Sequence, residues 1–168
     1  MNQSESLHNL YADFGMTAEK SQVLELEAGN VILSFLAITV DPEKITDEDK
    51  IGYKKLVDEI DRKTLGNLLQ KIKKIVDFDS NSEKIISDAL KKRNYLVHEF
   101  FKSHNYAIHS ESGRNEMRKE LSDISTLLDL AHQHLELICT LLEKVSGKNF
   151  VSEVNHNELI KFGKAIKI

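Results

Sequence analysis

The sequence predicts an all-α protein: a single domain built as a helical bundle of four to six helices in up-down order. Apolar residues recur three and four apart along most of the chain, and no run shows the two-residue alternation of a half-buried strand. The 168 residues include one proline and seven glycines, few enough to leave long helices uninterrupted. With 40% apolar and 30% charged residues, the chain suits one ordinary core.

A first helix is expected from about Thr17, read as its N-cap, to Val40, where Asp41-Pro42 forbids continuation. Its second half is apolar nearly all round, which marks a central helix. A second covers about 47–61, with Ile51, Leu56, Val57 and Ile60 as a thin inner stripe suited to the periphery. In the third, "RKTLGNLLQKIKKIV" (62–76), Leu65, Leu68, Leu69, Ile72, Ile75 and Val76 keep helical spacing, and the turn residues of "DFDSNS" close it. Ser82 is read as the cap of a fourth helix over about 83–104. A long fifth helix starts near Gly113, where Met117, Leu121, Ile124, Leu128, Ala131, Leu135, Ile138, Leu142 and Val145 alternate by four and three until Ser146-Gly147. That repeat fits either a seam between two chains or a helix buried in a bundle. A second strip, Leu127, Leu130, Leu137 and Leu141, favours the bundle. The core is expected at about 14–146, followed by a short amphipathic helix at about 152–166.

Charge and cysteine usage narrow the function classes. A net charge of −4 provides no global basic field to draw the protein onto long nucleic acid, so any such contact must be local. Cys139 is the lone cysteine and falls in an apolar helical run, as expected in a reducing compartment, the cytoplasm. The N-terminal "MNQSESLHNLYADFG" lacks the basic and apolar regions of a signal peptide. The most apolar stretch, "VILSFLAITV" (31–40), falls short of the roughly 20 residues that span a bilayer, so no membrane association is expected. There is no glycine-rich phosphate loop and no nucleophile elbow. His132, His134 and Glu136 share one helix, but no further ligand accompanies them, so neither a metal nor a cofactor is expected.

One residue is out of place. Ile85, Ile86, Ala89, Leu90, Leu96, Val97, Phe100 and Phe101 form one broad apolar arc of the fourth helix, and Arg93 points into its middle. A buried guanidinium is costly unless paired or employed. Glu25, in line with Gly29, Ile32 and Leu36 on an otherwise apolar strip of the first helix, is the expected partner. Asn94 and His98 are four apart on an adjacent flank, where the amide is placed to hold the imidazole. His98 lies about 140° round the helix from Arg93, so one chain alone does not bring both to one substrate atom. Two copies packed about a two-fold axis would alternate the two groups around a shared cleft.

"RNYLVHEFF" (93–101) resembles the signature of HEPN domains, an arginine followed by a polar residue and, several positions later, a histidine. The segments "FGMTAEKSQVLELEAGNVIL" (14–33) and "TLGNLLQKI" (64–72) are similar to uncharacterised bacterial members of that group, so the resemblance spans roughly residues 14–145. HEPN domains are small helical bundles, many of them metal-independent RNases active as dimers whose signature helices line a cleft. The resemblance implies a toxin-like or defence-like endoribonuclease, a homodimer acting on single-stranded RNA, controlled by a separate antitoxin or regulator protein. It equally accommodates a HEPN-like interaction module without catalysis, in which Arg93 is structural.

The residue chemistry suits RNA cleavage. Arg93 would grip phosphate oxygens, His98 would serve as general base and acid, and Asn94 would orient His98 or touch phosphate. Lys91, Lys92 and Lys102 would add local positive charge, offset by Asp88 and Glu99, and Tyr95 and His104 would stack on a base.

Overall fold

The computed structural model describes residues 3–39, 44 and 46–146. Six α-helices run in order: α1 (Gln3–Thr39), α2 (Asp47–Asp61), α3 (Leu65–Ile72), α4 (Ser80–His98), α5 (Phe100–Ser103) and α6 (Glu111–Ser146), with a 3₁₀ turn at Ala107–His109 before α6. Among the described residues there is no strand, and the fold is an all-α helical bundle. The helix expected at about 152–166 lies outside the described residues.

α1 begins at Gln3, well before Thr17. The hydroxyl of Thr17 donates to the carbonyl of Asp13 at 2.7 Å and that of Ser21 to Ala18 at 2.7 Å, so both serve inside a helix rather than at its end. α2 keeps its expected limits, fixed by a capping box in which Thr46 and Asp49 bond reciprocally. Its expected inner residue Ile51 is exposed, while Ile60 is buried. α3 is shorter than its apolar repeat, because Ile75 and Val76 both donate back to the Ile72 carbonyl as the chain turns. Asp79, not Ser82, caps α4 by accepting from the backbone of Asn81 and Ser82. These bonds hold the Asp79 carboxyl below its ordinary value, the Ser82 hydroxyl most of all. The long fourth helix expected to about 104 is broken at Glu99 (φ −126°, ψ −22°), which makes His98 the last residue of α4.

The chain forms two compact units, Met1–Glu25 with Asp77–His134 and Leu26–Val76 with Leu135–Ile168. In the first, Leu10, Leu96, Phe100, Met117 and Leu121 form a buried cluster edged by Phe14, Tyr95, Phe101 and Ile108. Burying each such side chain contributes roughly 1.5–3 kcal/mol. Side-chain bonds set the directions within this unit. Ser6 meets Arg114, Asp13 meets Arg118, and Lys20 meets Ser125 and Asp129, so α1 and α6 run parallel. Phe14 stacks on Phe101 and Glu25 meets Arg93, so α4 runs antiparallel to α1. Ser82 meets His134 and Lys92 meets Glu120, so α4 is antiparallel to α6 as well.

In the second unit Ala28, Val31, Ile32, Ile60, Leu65, Leu68, Leu69, Ile72 and Leu135 are buried. Gly29 lets α1 pass close to α2, since a Cβ there would sit 3.1 Å from Ile60. By length and composition α1 is long and apolar enough to cross a membrane, and a third of its apolar window is buried within the protein. On α6 the buried repeat is Met117, Leu121, Ile124, Leu128, Ala131 and Leu135. The second strip expected inside the bundle is instead exposed at Leu130, Leu137 and Leu141.

Candidate functional site

Arg93 is held where the apolar arc of α4 meets α1. Its Nη2 donates to both carboxylate oxygens of Glu25, at 2.9 and 3.1 Å, which is the pairing expected from sequence. The two side chains are 18% and 24% exposed, so the pair is neither sealed nor freely solvated. Nη1 donates to Asn94 Oδ1 at 3.2 Å, so Asn94 braces the arginine rather than His98. The Nε atom is buried with no acceptor, and it is the only such side-chain polar atom among the described residues. An unsatisfied buried donor costs about 1–3 kcal/mol, so its persistence calls for an explanation.

Arg93 meets α1 at Glu25 and Phe101, beyond the break at Glu99, meets it at Tyr11 and Phe14, while Asn94 and His98 lie four apart on α4. Val97, expected in the core arc, is 49% exposed, and Tyr11, 52% exposed, packs on Phe101 with ring centroids 5.9 Å apart. Val97 thus leaves apolar surface exposed one turn along α4 from the guanidinium. His98 is exposed at the end of α4.

The expected substrate lysines are all engaged by carboxylates. Lys91 meets Asp88 at 3.0 Å, Lys102 meets Glu99 at 3.2 Å, and Lys92 lies 3.7 Å from Glu120. Lys84 and Lys91 together keep the Asp88 carboxyl below its ordinary value. Tyr95 and His104, expected to stack on a base, are instead half-buried in a cluster that sequence reasoning missed. His104 Nε2 lies 2.7 Å from Glu120 Oε2, and the Tyr95 hydroxyl donates to the same oxygen at 3.4 Å. Burial, reinforced by the Glu120 charge, pushes the Tyr95 phenol up, so it remains a proton donor. The His104 ring packs 4.9 Å from Phe100, and the Lys92 ammonium sits 5.2 Å from the centroid of Tyr95. Nothing in the sequence joins Glu120 to His104 until the direction of α6 against α4 is known.

His134 contacts Ser82 Oγ at 3.0 Å instead of joining His132 and Glu136 as ligands. No group of three or more metal-ligating side chains occurs among the described residues. Burial, with the Glu27 charge behind it, pushes the Cys139 thiol up to about 12, leaving it protonated and poorly nucleophilic near neutral pH. Compared with protein-family models, curated proteins and solved structures, the chain matches none.

Proposed function

We propose that this chain is a HEPN-like, metal-independent endoribonuclease of toxin or defence type, cytoplasmic and active as a homodimer. The observation that carries the reading is the unsatisfied, buried Nε of Arg93. Arg93, the arginine of the three-residue signature, is also the one described side chain with a buried donor left over. Glu25 and Asn94 hold its guanidinium plane, while exposed Val97, one turn further along α4, offers apolar surface for a second copy.

In the shared cleft, His98 of one copy takes the proton of a ribose 2′-hydroxyl, and the oxygen attacks the adjacent phosphorus. The same residue of the other copy protonates the departing 5′-oxygen, and Arg93 offsets charge on the phosphorane. The products are a 2′,3′-cyclic phosphate and a 5′-hydroxyl, and DNA, lacking the 2′-hydroxyl, is spared. A separate antitoxin or regulator protein would restrain the activity.

A second reading is a HEPN-like interaction module without catalysis. The bidentate Glu25 clasp and the engagement of Lys91, Lys92 and Lys102 by acids favour it. Cleavage of single-stranded RNA in the presence of a chelator separates the two. The nuclease reading expects cleavage by the wild type, and its loss in Arg93→Ala and His98→Ala variants that keep their helicity and dimer mass. Intact RNA with wild-type protein, or a monomer by light scattering, favours the module.

A further inference from the structure

We propose that the cleft between α1 and α6 in the first unit binds the phosphate of a nucleotide or an RNA strand. It measures about 470 Å³ and is lined by Asp13, Met16, Thr17, Lys20, Arg118, Lys119, Leu121, Ser122 and Ser125. That volume lies within the range of small-ligand pockets.

Its cations are fixed from behind and open in front. Arg118 gives its Nε to Asp13 at 2.6 Å, and its terminal nitrogens have no acceptor among the described residues. Those nitrogens form the edge of the guanidinium that grips paired phosphate oxygens. Lys20 is anchored by Ser125 at 2.8 Å and by Asp129. Lys119 is exposed, and no carboxylate among the described residues forms an ion pair with it. Glu116 and Asp123, three residues before and four residues after Lys119, share its side of α6 and offset its charge, so the free guanidinium edge of Arg118 carries the recognition. Ser122, four residues after Arg118, adds a hydroxyl on the same face. Exposed Met16 offers an apolar surface for a base.

The cleft occupies a side of α1 well away from Glu25, so the inference does not rest on the Arg93 reading. Calorimetric titration at fixed ionic strength with inorganic phosphate, AMP and an oligouridylate tests it. Saturable binding of AMP identifies a nucleotide site, and binding of the oligomer alone identifies an RNA contact. In either case Arg118→Gln weakens binding at least tenfold and Lys119→Gln about threefold. Lys119 is exposed, so its variant remains informative should Arg118→Gln misfold. The proposal is overturned if none of the three probes binds, or if Lys119→Gln and a folded Arg118→Gln bind as well as the wild type.

Discussion

Two arginines of the first unit are set into the protein in opposite ways. Arg93 meets a carboxylate, keeps 18% exposure and retains a donor without an acceptor. Arg114 is only 3% exposed, yet no carboxylate among the described residues pairs with it. Its Nε donates to the Ser6 hydroxyl and its Nη1 to the Ile108 carbonyl, both at 2.9 Å. It thereby ties the start of α1 and the turn before α6 to one point. Deep burial with neutral acceptors marks a structural brace, whereas partial exposure with an incomplete bond set is what the proposed role of Arg93 requires.

Gly113→Ala should break the brace most severely. A Cβ there would lie 2.1 Å from the Ala107 carbonyl oxygen, so the turn carrying Ile108 must leave Arg114. A loss of about 3 kcal/mol is expected in urea denaturation, with helicity of the isolated native state reduced near the turn. Breaking the other side, Glu25→Ala should cost about 2 kcal/mol, less than a sealed pair would because both side chains keep some solvent. Replacing both partners, Glu25→Leu with Arg93→Met, should recover that stability, and under the proposed nuclease reading the double variant should not cleave RNA. Recovery of cleavage along with stability would assign Arg93 to the brace class.

Ser6→Ala sharpens the contrast from the Arg114 side with a smaller effect, about 1 kcal/mol and no change in cleavage. The smallest effect comes from acid. α4, which carries Arg93, is capped by the Asp79 carboxylate, whereas α6 is capped by the Ser110 hydroxyl, which accepts from Gly113 N–H. Because the folded Asp79 value lies below the unfolded one, its contribution is complete above the ordinary carboxylate range. It is lost as pH falls through the lowered value. Hydrogen exchange at a pH below the ordinary carboxylate range should therefore show α4 fraying at its first turn before α6 does.

The helical class and the limits of α2 were legible because periodicity and caps are local signals. The Glu25–Arg93 pair was legible for a different reason: a charge placed on an apolar arc demands an opposite charge on whatever packs there. The start of α1 was misplaced because a threonine that bonds back within a helix looks, in sequence, like one that caps it. Glu99 carries no glycine or proline to announce the break after His98, and the apolar spacing runs straight through it. Arg114 and the Lys20–Arg118 cleft depend on α1 and α6 lying parallel, a long-range fact no window of sequence contains.

The first unit is assembled from the two sides of an intervening stretch, residues 26–76. During synthesis, Leu10 and Phe14 emerge from the ribosome long before Phe100, Met117 and Leu121 exist to cover them. The nascent chain must therefore carry uncovered apolar surface until the start of α6 has been made, which makes its N-terminal segment a natural client for chaperones and its premature termination products prone to clump.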